Sequence, residues 1–157
     1  AKLGQSLFDG LGEDGAVEAM IRMGAPVNLV NPYTGMTILA EVSINKLPFR
    51  FFAPLLAAGA DPNIPDPRGQ GPLHLVRGPN AIRMAEMLLE NGAKVDLQDL
   101  NGMTPLLRAV EAEDFDLVRA LIKAHANPLI ADKEGRTPIS VARKLGNERI
   151  IGLLAQI

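Results

Sequence analysis

The chain has 157 residues, 47% of them apolar and 22% charged, which suits one domain of ordinary size with a buried core and a solvated surface. Lys and Arg number 16 against 18 Asp and Glu, a net charge of −2 that argues against a polybasic nucleic-acid or membrane-surface binder. The lack of any cysteine excludes a disulfide framework, a zinc finger and a cysteine nucleophile, and no apolar run approaches the roughly 20 residues that span a bilayer.

A cysteine-free chain fits the cytoplasm or another reducing intracellular compartment. The opening AKLGQSLFDG has no apolar stretch of signal-peptide type, and without an initiator Met the chain reads as a processed product or an excerpt. Five Phe, one Tyr and no Trp stand beside 15 Gly and 12 Pro. That balance favours short repeated units with small aliphatic packing over an aromatic-rich enzyme core.

Two series of markers keep one phase. Gly35, Gly69, Gly102 and Gly135 lie 34, 33 and 33 residues apart and open the phrases GMTILAEV, GQGPLHLV, GMTPLLRA and GRTPISVA. Gly24, Gly59, Gly92 and His125 open GAPVN, GADPN, GAKVD and HANPL. In chain order, the first unit offers only GQSLFDGL (4–11) in place of the phrase, then an aliphatic helix around Met20-Ile21 that Gly24 ends. In the second unit Thr37 is placed to cap a first helix. Both its turn NLVNPYTG (28–35) and its interhelical stretch INKLPFRFF (44–52) are one residue longer than their counterparts. Pro48 is benign at a helix start, but Pro54 falls inside the second helix, where a proline costs about 3 kcal/mol and kinks the chain. Phe49, Phe51 and Phe52 crowd the same stretch, as a repacked local core or as a dedicated ligand surface.

The third unit carries Gly71 where the others have the capping Thr, then Leu88-Leu89 and Gly92. In the fourth, Thr104 and Pro105 start the first helix, and Asp114 and Asp116 sit in the first turn of the second, complementing its dipole. Glu13 and Asp14 hold the comparable loop of unit one. His125 replaces the helix-ending Gly and is expected at positive φ. The fifth unit runs from Thr137-Pro138 to Leu153-Leu154. Asn28, Asn63 and Asp96, and three residues later Asn31, Asp66 and Asp99, read as turn residues whose side chains bond nearby backbone. The core is expected from Leu39, Leu73, Leu106 and Ile139 on first helices and Val17, Phe52, Ala85, Val118 and Ile151 on second helices.

With its 33-residue period and its GQGPLHLV, GMTPLLRA and LLENGAKVDLQD segments, the chain resembles the ankyrin repeat. The resemblance implies an all-α solenoid of stacked helix pairs with projecting β-turn fingers, a single domain over 1–157. Its units run roughly 1–30, 31–64, 65–97, 98–130 and 131–157, the first and last acting as caps. Gly71 in place of Thr, Ile38 in place of Pro, and a histidine kept only at His74 are departures that leave the phase intact. His74 occupies the motif's own histidine slot, where the family's ring bonds the adjacent turn backbone.

No catalytic constellation is legible. No H-E-x-x-H, G-x-S-x-G or Walker sequence occurs, and EAEDFD (111–116) lacks the calcium-loop pattern. No cofactor, metal or enzymatic activity is expected, and the basic C-terminal unit reads as a solvated cap. The resemblance instead implies a protein-interaction module that binds a partner protein on its concave face and is monomeric on its own. Alternatives are the recognition arm of a larger enzyme, or an inhibitor or immunity-type protein that blocks a partner's active site. The family's contact positions carry over at the finger tips to Tyr33, Thr34 and Met36, to Pro67, Arg68 and Gln70, to Leu100, Asn101 and Met103, and to Lys133, Glu134 and Arg136. First-helix ends add Ile44 and Asn45, Gly78 and Pro79, Glu111 and Ala112, and Lys144 and Leu145. Tyr33, Met36, Leu100 and Met103 are apolar or aromatic at positions expected to face water, which marks a partner surface; for Met36 and Met103 the competing expectation is packing between neighbouring fingers.

Overall fold

The computed structural model describes residues 15–157, so GQSLFDGL, Glu13 and Asp14 lie outside the described residues. The described residues form α-helices and turns, with one isolated bridge between Val30 and Thr37 and no strand among them. The helices are α1 (Ala16–Arg22), α2 (Ile38–Ser43), α3 (Phe52–Ala57), α4 (Pro72–Leu75), α5 (Ala81–Glu90), α6 (Pro105–Glu111), α7 (Phe115–Lys123), α8 (Pro138–Leu145) and α9 (Glu148–Leu154). A 3₁₀ turn, Phe49–Phe51, leads into α3. First helices α2, α4, α6 and α8 stack in one layer, and α1, α3, α5, α7 and α9 form the second. This is the stacked helix-pair solenoid that the period implies.

The helix starts follow the sequence reading. Thr37, Thr104 and Thr137 each accept a hydrogen bond through the hydroxyl from the backbone N–H three residues on. Asp114 caps α7 in the same way through Leu117 N–H at 3.1 Å. At Gly71 there is no side chain to cap α4, and the Nδ1 of His74 accepts the Gly71 N–H instead at 3.2 Å. His125 takes φ 64°, as expected of a residue in the helix-ending Gly position.

Seven of the nine expected core residues are buried, while Ile139 and Ile151 of the last unit are only half-buried. Among the described residues the two exceptions pack against the core from one side. Pro54 does not kink a helix. The chain enters this segment through a 3₁₀ turn, so Pro54 falls in the first turn of α3, where a missing N–H is tolerated. Phe51 and Phe52 are fully buried and Phe49 stacks on Phe52 with centroids 6.2 Å apart, so the phenylalanine cluster is local core.

A second correction concerns the turn residues. Asn31, Asp66 and Asp99 do bond their own turns. Asn28, Asn63 and Asp96 instead accept N–H groups from the next unit, those of Asp61, Lys94 and Asn127, at 2.7 to 2.9 Å. They fasten unit to unit. Leu129, the corresponding residue of the fourth unit, lacks such an acceptor and is exposed.

The phrase-opening glycines serve a contact between fingers. Gly35, Gly69, Gly102 and Gly135 all have φ between 70° and 78°. The next finger is laid against three of them. A Cβ on Gly35 would collide with the Pro67 ring, one on Gly69 would stand 2.9 Å from Leu100 N, and one on Gly102 would stand 3.0 Å from Lys133 N. Gly135 has open space. Leu100 N–H donates to Arg68 O at 3.0 Å and Lys133 N–H to Asn101 O at 2.9 Å, so successive fingers are joined by backbone. The equivalent residue of the third finger is Pro67, which has no N–H to donate.

Two expectations follow. Gly69→Ala and Gly102→Ala should each lower unfolding free energy by at least about 1 kcal/mol more than Gly135→Ala, measured by urea denaturation. Gly135→Ala meets only the left-handed strain; equal losses at all three would mean that close approach contributes nothing. In addition, α5 lies broadly along α7 but touches α3 little, and Pro67 removes the finger bond beside unit two. Amide hydrogen exchange should therefore be faster over residues 44–58 than over 82–90, and equal protection would show that the buried phenylalanines compensate.

Candidate functional site

The face built by fingers and first helices carries an open trough, shaped by the shortness of α4. By the register of the phrases α4 should match the seven residues of α6, yet it stops after four. Gly78-Pro79 opposes its continuation, since a residue before proline is disfavoured in helical geometry, and Gly78 turns at φ 86°. Val76 is already extended, and Arg77 N–H donates to Ser43 O of α2 at 3.1 Å instead of continuing the helix. The missing turn leaves a hollow of about 460 Å³ between Val76–Gly78 and Pro105, Arg108 and Ala109 of α6 with Ala112 at its end. A second hollow of about 440 Å³ continues toward unit two over Met36, Ile44, Lys46, Arg68 and Gln70, with Arg77 and Arg108 shared by both.

The expected contact residues divide into three groups. Tyr33 and Leu100 are 68% and 62% exposed at their finger tips, and Asn45, Arg68, Asn101, Lys133 and Lys144 are exposed as well. Thr34, Ile44 and Glu111 are half-buried in the walls. Met36, Gln70 and Met103 are buried; for Met36 and Met103 this overturns the expectation that they face water and agrees with the competing one, packing between neighbouring fingers. All three directly follow a phrase-opening Gly, and that position points between neighbouring units. Met36 packs on Ala40 and Leu75, Met103 joins the main core, and the side-chain oxygen of Gln70 accepts from the Arg108 guanidinium. Arg136 holds the same place in the last unit. It is half-buried and pairs with Asp132 and Glu111 at 2.7 Å and with Glu134 at 3.3 Å. Burial raises the Asp132 carboxyl, but the Arg136 N–H, its guanidinium and the Glu134 N–H outweigh this and hold it below its ordinary value.

Sequence reading missed Lys46, Arg77 and Arg108 on the trough. The Gly78-Pro79 pair was the available signal, because it forecasts an early end to α4 and hence an opened groove. His74 lies on the floor, with Nε2 donating to Met103 O at 2.8 Å and Nδ1 accepting from Gly71. Both ring nitrogens are occupied by backbone, as the histidine slot implied. No cluster of three or more His, Cys, Asp or Glu residues placed to hold a metal occurs among the described residues, and no described helix is long and apolar enough to cross a membrane.

The family described as ankyrin repeats (3 copies) matches residues 44–132 and 75–157, most of the chain. The chain belongs to the ankyrin-repeat family. This ankyrin-repeat chain is similar to "Ankyrin repeat and SOCS box protein 10" of Homo sapiens, 62% identical over 39 residues, which are 25% of this chain and 8% of that protein. It is 33% identical to "Neurogenic locus notch homolog protein 1" of Xenopus tropicalis over 94 residues, 59% of this chain and 4% of that protein. To "Ankyrin repeat domain-containing protein 37" of Mus musculus it is 32% identical over 93 residues, 59% of this chain and 58% of that protein. The match thus spans less than two thirds of each of these relatives.

The burial of the histidine of the ankyrin phrase predicts a pH-dependent stability. Burial pushes His74 below its ordinary value of 6.5, and Arg108 adds to that, against the upward pull of the Met103 carbonyl, Asp99 and Asp66. A group depressed on folding is protonated first in the unfolded chain, so its contribution is complete above 6.5 and declines as pH falls through the folded value. Tm should therefore drop as pH is lowered from about 7 to 5, and His74→Gln should have a lower but flatter profile over that interval. An unchanged slope in that variant would assign the pH dependence to other groups.

Proposed function

We propose that this chain is a protein-interaction module that binds a partner protein on its concave face, the side of the fingers and first helices. Ankyrin repeats are in general modules of protein–protein interaction. The observation that supports the finer reading is the exposure of Tyr33, next in sequence to Thr34 of the second hollow, and of Leu100, whose N–H bonds the Arg68 carbonyl of the same hollow. A large apolar side chain held in water by a rigid turn costs little conformational entropy when a partner covers it. Such anchors dominate interface energy, whereas charged rim residues contribute specificity.

The test compares two double variants in capture from lysate of the source cell, with thermal unfolding followed in parallel. Tyr33→Ala with Leu100→Ala should weaken partner binding by about 2 kcal/mol or more, roughly thirtyfold, as for truncated anchors. The same changes at exposed tips should alter stability by only about 0.5 kcal/mol. Arg83→Ala with Arg119→Ala, on the second-helix face, should leave binding intact. Binding that survives the first pair and fails with the second would move the interface to the outer face.

A further inference from the structure

The trough concentrates cations that have no ion-pair partner among the described residues. Lys46, Arg68, Arg77 and Arg108 line its second hollow, and Arg77 and Arg108 reach the first. Among the described residues no carboxylate lies within ion-pair distance of any of the four, although Arg83, Arg119 and Arg136 each have an acidic partner. Acids near the trough are already engaged. One oxygen of Asp66 accepts the N–H groups of Arg68 and Gln70, both at 2.9 Å, Asp114 at the first hollow caps α7 through Leu117 N–H at 3.1 Å, and Glu111 is held by Arg136 at 2.7 Å. Gln70 orients the Arg108 guanidinium at the junction of the two hollows. In a chain of net charge −2, the second hollow sets these four cations against one lining carboxylate, Asp66, beside apolar Met36, Ile44 and Leu75.

We propose that the trough over units two to four receives an extended, carboxylate-rich segment of a partner protein, its acids on Arg68, Arg77 and Arg108 and small apolar side chains between them. This rests on the concave-face reading and adds the partner's chemistry. Two shallow hollows in line, sharing one wall, fit an extended chain better than a folded knob. Arginine suits the role because its planar fork engages a carboxylate through two hydrogen bonds. A nucleic acid fits less well. Four cations neutralise few phosphates, and no Phe, Tyr or Trp lines either hollow as a stacking platform.

The experiment selects a phage-displayed library of random 12-residue peptides on the immobilised 157-residue chain, then measures synthetic copies of the enriched peptides in solution. Enriched sequences should exceed the library in Asp and Glu, and their affinity should fall as salt rises toward complete screening. Lys46→Glu, Arg68→Glu and Arg77→Glu together should weaken them by about tenfold or more, and Arg83→Glu with Arg119→Glu should not. If circular dichroism shows the triple Glu variant unfolded, the corresponding triple Gln variant is used, with the same direction expected. Enriched peptides without acidic bias that still depend on Tyr33 and Leu100 would overturn this inference while leaving the concave-face reading standing. Acidic peptides lost only in the outer-face variant would overturn both. Single-stranded poly(U) binding as tightly as the peptides, with the same dependence on the trough cations, would give the trough to nucleic acid. Recovery of no peptide that depends on those cations would also overturn it.

Discussion

One side-chain oxygen closes each of the last three fingers of this solenoid. In units three, four and five, Oδ1 of Asp66, Asp99 or Asp132 accepts two backbone N–H groups, two and four residues on, all at 2.9 Å. The turn that results puts the phrase-opening Gly at positive φ and turns the following side chain in between units. The next finger can then lie against that Gly, and the first helix leaves the turn at its Thr cap. Removing the oxygen would orphan two donors at once, and a buried unpaired donor costs about 1–3 kcal/mol.

The longer finger of unit two shows the constraint by breaking it. With one extra residue, Asn31 reaches Tyr33 N–H but Met36 N–H goes to the Thr34 hydroxyl. The buried Glu41 carboxylate then accepts from both Asn31 and Thr34 at 2.8 Å. A local side-chain network replaces the single acceptor, and it extends the tip that presents Tyr33. The same unit gains buried phenylalanines where its second helix is short. Two departures from the repeat thus shape the trough, Gly78-Pro79 beside the short α4 on one side and the long finger on the other.

Function in a solenoid of this kind comes from what the repeat does not require. Cap, finger and core positions are held by packing, whereas Lys46, Arg68 and Arg77 satisfy no ion pair of the fold among the described residues. Arg136 is the instructive contrast, since it was an expected contact residue yet its guanidinium is engaged by three carboxylates of its own and the neighbouring unit. A cation already compensated in this way has less left to offer a partner than one facing only solvent.

The residues by themselves determined the period, the family, the helix caps, the positive φ at His125 and most of the core. Each of these is a local matter: a hydroxyl or glycine at a fixed offset has the same conformational consequence in every unit. Tertiary structure alone decided what depends on the neighbour thirty-odd residues away. Asn28, Asn63 and Asp96 look like turn residues but bond across units, because the nearest free N–H belongs to the next repeat. Met36 and Met103 sit beside exposed tips in sequence yet are buried, because the adjoining unit closes over them. The trough, too, exists only once a shortened α4 is set against a full-length α6, a difference between two helices that neither segment contains alone.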